Sequence, residues 1–454
     1  MICYEAGLSD FRVVAGMDQE AIESENRFAS YIEGLSSVIG HADRVKPLSD
    51  YCSGLVLPLE RKSVEPLAAA SAPDRVSAQH QSLLHFVGKS PWSDERLLAK
   101  VQALVLPSIE RRGAIKAWIV DDTGQPKKGK HSVGVARQYC GQLGKQDNCQ
   151  VAVSLSVANE AASLPIAHRL YLPEAWAKDA ERRKAAGVPE AVVFKTKPEI
   201  ALDQIAAARS AGVAPGVVLA DAGYGADTRF RSEVGALGLD YVMGVQGSIS
   251  LWPPGREPLE PKPWSGRGRP PSQWRRDKGH QPVSAKELAL GLEARHWREI
   301  TWREGTNAPL VSRFAALRVR PAHRDQKLSE PRPREWLLIE WPKDEAEPTK
   351  HWLSTLPETT GLADLVAMAK LRWRIERDYQ ELKQEIGLGH YEGRSWRGFH
   401  HHATLCIAAY GFLVSERETI PPSGPRHCAK RKTFALPEDY RPRGAANPNR
   451  APYR

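Results

Sequence analysis

The stretch WIVDDTGQPKKGK, Trp118–Lys130, decides the fold. An apolar run meets two adjacent acids, then a small polar turn, then three lysines within four residues. A short apolar run bounded by turn residues reads as a buried strand, so a strand is predicted over Ala117–Asp121, ending at its carboxylates. A second run of the same kind, Val217–Ala220, ends at Asp221 within VVLADAGYGADTRF. In open α/β sheets chemistry gathers beyond the carboxyl ends of the strands. Asp121 and Asp221 therefore hold equivalent positions on two strands, and neighbouring strands lie only about 4.8 Å apart. Two carboxylates that close repel each other unless a cation neutralises them. Magnesium or manganese, which take hard oxygen ligands, are the cations this chemistry suits.

Working outward, residues 1–112 read as helical: Arg27–Ile39 and Gln81–Val87 show helical spacing, and Ser93-Asp94-Glu95 reads as a helix start. This region is either a small DNA-binding unit or a packing layer for the next domain. After Gly113 strands are expected at His131–Tyr139, Gln150–Val157 and Leu164–Leu172, then a helix over Pro198–Ala211 capped by Thr196. A helix over Asp227–Leu237 and a strand over Tyr241–Val245 complete a mixed α/β sheet with helical crossovers. Residues 247–357 carry strand signals at Trp297–Trp302, Arg313–Arg320, Glu335–Trp341 and His351–Ser354 between Pro-rich loops, and read as a β-rich insertion. One long helix is predicted from about Gly361 to Ile386 and a last apolar one over Ala403–Val414. The segment 416–454 is Pro-rich and basic, with the composition of a disordered tail.

The chain has 454 residues, 41% of them hydrophobic, which suits a globular protein with a substantial core. Lys and Arg number 64 against 54 Asp and Glu, a net charge of +10 that favours a polyanionic partner. The excess concentrates in residues 261–280 and 421–454. Six scattered cysteines, none with CxxC spacing, argue against a zinc site and for a reducing cytoplasmic setting. The start of the chain lacks the pattern of a signal peptide, and no 18-residue apolar window predicts a membrane span.

The stretch LRWRIERDYQELKQEIGLGHYEGR supplies a third acid. Arg372, Glu376, Tyr379 and Lys383 are spaced four, three and four apart and share one helix face. Taken alone, Arg372 and Glu376 could form a simple surface ion pair. Together with the two strand-end blocks, however, the chain resembles the DDE transposases of bacterial insertion sequences. It is most similar to the branch that carries a β-rich insertion between the second Asp and the Glu. Tyr, two residues, Arg, three residues, Glu, six residues, Lys is that branch's helix signature. Arg372, Glu376 and Lys383 fit it, while Ala369 stands where the Tyr would be. The three acids are 100 and 155 residues apart, and the blocks resembling the family span about 113–414.

The resemblance implies an RNase H-like catalytic domain made of 113–246 and 358–415, with 247–357 inserted. It implies Asp121, Asp221 and Glu376 as a catalytic triad holding two Mg2+ or Mn2+ ions. It also implies action on double-stranded DNA at insertion-sequence ends and on target DNA, by a homodimer associated with the nucleoid. Asp121 is preferred to Asp122 on the family pattern and because successive strand side chains point to opposite faces. The rival expectations are a standalone nuclease of the same fold and an inactive, transposase-derived DNA-binding protein.

Lys127, Lys128 and Lys130 are candidate phosphate contacts beside Asp121, as are Lys383, Arg394 and Arg372, the last of which could instead position Glu376. Arg267 and Arg269, in an RGRP core, resemble minor-groove hooks. His400, His401 and His402 are consecutive on a helix and point about 100° apart, so they are not expected to share one metal ion.

Overall fold

The computed structural model describes residues 7–304 and 308–419. Most of the basic tail, 416–454, and Cys3 and Cys428 therefore lie outside the described residues. Five helices come first: α1 (Gly7–Ser36), α2 (Val45–Val56), α3 (Val64–Ser71), α4 (Val76–Gly88) and α5 (Asp94–Glu110). Ser93 caps α5, its side chain accepting the Arg96 N–H at 3.1 Å, as the sequence signal indicated.

Next come β1 (Ala117–Pro126), β2 (Ala136–Cys140), β3 (Lys145–Ala158) and β4 (Ser163–Leu170). Helices α6 (Glu174–Ala177), α7 (Ala180–Ala186) and α8 (Lys197–Ser210) lead to β5 (Val217–Ala220), α9 (Ala222–Gly225), α10 (Thr228–Ala236) and β6 (Tyr241–Val245). Strand β1 pairs antiparallel with β3 and parallel with β5, and β5 pairs parallel with β6. Three antiparallel strands followed by parallel ones, with helices on both faces, give an RNase H-like mixed α/β sheet. The parallel strands are near-continuous apolar runs because both their faces are covered.

Strand β1 does not stop at the acids, as the sequence suggested. It runs on to Pro126 because the 14-residue β3 supplies a ladder along its whole length, from Ala117↔Ala158 to Pro126↔Cys149. What ends near the acids is the pairing with β5, whose last matched pair is Ile119↔Leu219.

The insertion contains β7 (Ser250–Trp252), β8 (Val283–Ser284), α11 (Ala285–Leu290), β9 (Arg298–Glu304), β10 (Pro309–Pro321), β11 (Glu335–Trp341) and β12 (Lys350–Ser354). Its strands continue the sheet built by β1–β6 rather than standing apart. Strand β12 pairs with β6, β11 with β12 and β10 with β11, within one sheet of twelve strands among the described residues.

Helix α12 (Leu362–Leu371) and α13 (Trp373–Glu381) follow, interrupted at Arg372, and a π-helical turn spans Leu382–Ile386. The single long helix expected from 361 to 386 is thus divided in two places. Helix α14 (Trp396–Thr419) is buried nearly all round, against α2, α4, α5 and β4. None of the helices among the described residues is long and apolar enough to cross a membrane.

The three histidines of α14 diverge as helix geometry requires. His400 meets Leu170 N and Trp396 O, His401 stacks on Trp92 with ring centroids 3.5 Å apart, and His402 lies between Tyr51 and Gly387. A neutral His402 satisfies both neighbours: Nε2–H donates to Gly387 O at 3.1 Å and Nδ1 accepts from the Tyr51 hydroxyl at 2.9 Å. Burial pushes its imidazole down to about 4. In the unfolded chain it titrates near 6.5. The stability it contributes is present above about pH 6.5 and is lost as pH falls toward 4. About 2 kcal/mol should disappear between pH 7 and pH 5. Urea melts at the two pH values test this, and His402→Gln, which cannot titrate there, should lose that share of the pH dependence.

Candidate active site

Strand alternation sorts the two acids of β1 onto opposite faces of the sheet. Ala117 and Ile119 belong to the core shared with Leu219, Leu365, Val366 and Ile375, beneath α12 and α13. Trp118 and Val120 belong to the other core, with Ile200 and Ile205 of α8. Continuing the alternation, Asp121 faces the α12–α13 side and Asp122 faces α8. The contacts follow suit. Arg372, between α12 and α13, donates from Nη1 to Asp121 Oδ2 at 2.6 Å. Lys197, at the start of α8, pairs with Asp122 Oδ2 at 2.6 Å. Asp121 Oδ1 also accepts the Asp122 N–H at 2.8 Å.

Asp221 follows the last residue of β5 and caps α9, its Oδ1 accepting the Gly223 N–H at 2.9 Å. Extending the Ile119↔Leu219 register by two residues sets Asp221 level with Asp121. Glu376, on the first turn of α13, reaches Arg372 Nη2 at 3.6 Å and is largely exposed. Arg372 is thus the common neighbour of the acids. Burial alone would lower its basicity, but Asp121, Asp221 and Glu376 outweigh that and hold it above the ordinary guanidinium value. Burial pushes the Asp121 carboxyl up to about 6, with Arg372 pulling the other way and Asp221 adding to the rise.

The rest of the glutamate helix is fastened to the sheet beside these acids. The Tyr379 hydroxyl lies 2.6 Å from Ser154 Oγ, and Ser154 is the cross-strand partner of Asp121. Lys383, on the π-turn, donates to Gly124 O at 3.0 Å, and Lys127 donates to Tyr391 O at 2.6 Å. Burial lowers both amines, that of Lys127 to about 8. Two of the candidate DNA-contacting lysines therefore hold protein carbonyls. Lys128, Lys130 and Arg394 are exposed. Their segments adjoin, since Val133 N donates to Arg394 O at 3.1 Å. Arg267 and Arg269 are exposed on a bend of the insertion.

Sequence reasoning missed Lys197 as the counter-charge that occupies Asp122. Only the face alternation could have signalled it. It also missed Asp378, two residues after Glu376. This buried acid accepts from Ser163 Oγ at 2.6 Å and the Tyr410 hydroxyl at 2.8 Å, and so is committed to packing α13.

Residues 34–309 match the DDE superfamily endonuclease family, 61% of the chain. The chain belongs to that family. The chain is also 33% identical over 196 residues to a probable transposase for insertion sequence element IS701 of Microchaete diplosiphon. The match covers 43% of this chain and 47% of that one, so the chain spans about half the length of the curated relative it matches. The family segment reaches back into the helical region, from the end of α1 onward, and includes Asp121 and Asp221. It ends before Glu376, which the family match does not cover.

The donor chemistry suits hard cations: oxygen ligands only, on acids that already draw a cation to themselves. As the side chains stand, that cation is Arg372. Among the described residues no three His, Cys, Asp or Glu side chains are drawn together closely enough to hold a metal ion. Glu376, turned to solvent, is the outlying member.

Proposed function

We propose that this DDE superfamily endonuclease is a transposase, cleaving double-stranded DNA at the ends of an insertion sequence and joining the freed ends to target DNA. The supporting observation is the level placement of Asp121 and Asp221 where the parallel pairing of β1 with β5 gives out, on the face where α13 carries Glu376. Two magnesium or manganese ions held by these three carboxylates would activate the attacking hydroxyl and neutralise the leaving oxygen of an in-line displacement at phosphorus. Asp121 and Asp221 approach from the rigid sheet, and Glu376 approaches from the helix. Lys383 and Tyr379 pin that helix to β1 and β3, which fixes the direction from which the third acid can approach.

Lys128, Lys130 and Arg394 are exposed and suited to DNA phosphates, contacts that give affinity but no sequence information. DNA binding should therefore weaken as salt rises, and each of these residues replaced by Gln should make the slope of log affinity against log salt shallower by about 0.9. Fluorescence anisotropy over a salt series measures it. Joining two transposon ends calls for a homodimer on DNA, acting in the cytoplasm at the nucleoid.

The deciding experiment uses DNA carrying the sequences that flank the gene on both sides, with a target plasmid and Mg2+. Cleavage with joining is the expected outcome. Cleavage without joining would identify a standalone nuclease instead. Binding with neither reaction, in Mg2+ or Mn2+, would leave a DNA-binding derivative and overturn the proposal.

A further inference from the structure

We infer that Arg372 is a resident counter-cation of the acidic site, holding the carboxylates in the absence of metal, and that a divalent ion must displace it in order to bind. The inference rests on the metal-dependent reading above. Its ground is the placement of one guanidinium, with Nη1 at 2.6 Å from Asp121 Oδ2 and Nη2 at 3.6 Å from Glu376 Oε1. Asp221 acts on the same guanidinium. All three acids assigned to the metal ions therefore already share a single positive charge.

Arg372 links α12 to α13 with helical backbone angles, and its side chain is 24% exposed, so the side chain can turn away from the acids by a change of rotamer. Its neighbours are tied down separately. Trp373 is covered by Arg303 at 3.9 Å and by Arg374 at 4.7 Å, and Arg374 donates to Ala161 O at 2.8 Å. Arg372 can leave Asp121 without loosening those contacts. A cation at the acids and the guanidinium repel each other, so metal entry and the Arg372–Asp121 pair are mutually exclusive. By linkage, whatever free energy the pair contributes is subtracted from metal affinity, and couplings of this kind amount to about 5- to 150-fold. Once displaced, the guanidinium is free to meet a DNA phosphate next to the metal ions.

The test is Mn2+ binding without DNA, read from the loss of the free-ion electron paramagnetic resonance signal. Arg372→Gln should bind Mn2+ about tenfold more tightly than the wild-type chain, with Arg372→Lys between them. Equal or weaker binding by the Gln variant overturns the inference. A second measurement uses the unaltered protein: modification of Arg372 by phenylglyoxal, followed by peptide mass spectrometry, should rise several-fold when Mn2+ is added. Unchanged or reduced modification also overturns it. Asp121→Asn separates the two levels of argument. If it abolishes Mn2+ binding while Arg372→Gln binds like wild type, the metal site stands and the counter-cation role fails. If neither the wild-type chain nor Arg372→Gln binds Mn2+, both fail.

Discussion

Asp121→Asn is expected to lower DNA strand cleavage by about 10³-fold, the scale at which losing one group that meets developing charge is felt, whereas Asp122→Asn should leave it nearly intact. The two residues are adjacent and differ by one charge partner and one face of the sheet. Asp121 shares its side with Asp221 and with the helix that carries Glu376. Asp122 faces α8 and pairs with Lys197, both side chains being about 30% exposed. A part-exposed pair of that kind contributes about 1 kcal/mol at most, so its loss is a small matter of stability. The Asn variant keeps the shape of Asp121 and its backbone contact while removing the charge that would bind a cation. Nicking of a labelled substrate at saturating Mg2+ measures the effect, with thermal melts showing that each variant is folded. Loss of cleavage in the Asp122 variant alone would reverse the assignment and, with it, the face of the sheet on which the chemistry is placed.

The parts of the site that could be read in the sequence were those written in local pattern. Apolar runs ending at Asp121 and Asp221 revealed two strands and, for Asp221, the strand's tip, because burial on both faces leaves a continuous hydrophobic signature. The spacing of Arg372, Glu376, Tyr379 and Lys383 revealed one helix face. Arg372, Tyr379 and Lys383 do meet the sheet or its acid, and Glu376 meets Arg372. Contacts that depend on distant chain were not legible. Nothing near Asp122 announces that β3 will carry the ladder on to Pro126, where Gly124 and Gln125 look like a turn. Nothing in the insertion announces that β12 will lie on β6 and merge the two regions into one sheet. The partner of Arg372 lies 251 residues away, so the sequence offered the residue without the carboxylate it holds. The lysines show the limit of reading charge as function. Lys127 and Lys128 are neighbours of the same type, yet one is drawn onto Tyr391 O while the other faces solvent.

Gly225→Ala should cost about 3 kcal/mol of stability, at the upper end of what an overpacked methyl group produces, and should impair cleavage as well. Gly225 ends the short helix that Asp221 caps, its N–H donating to Asp221 O at 2.8 Å. A Cβ built there runs into the carbonyl of Gly244 on β6, with Met243 Cβ only 2.9 Å away. Gly244 meets the same junction from the other side: its own Cβ would come within 3.0 Å of Ala222 N and 3.2 Å of Asp221 C. Two glycines thus let the turn after β5 settle onto β6 backbone against backbone, and that seating sets the height at which the Asp221 carboxylate stands beside Asp121. Because the obstacle is main chain rather than the flexible end of a side chain, relief requires the turn to move, carrying Asp221 with it. Gly235 provides the comparison. It lies inside α10, where an added Cβ would meet nothing within 4 Å. Gly235→Ala should therefore stabilise by about 0.5–1 kcal/mol, as expected for replacing a helical glycine. Urea melts of the two variants, paired with cleavage rates, put the claim at risk. Equal stability of the two would mean that the turn does not need the close approach, and that Asp221 is held at its height by something other than its seat on β6.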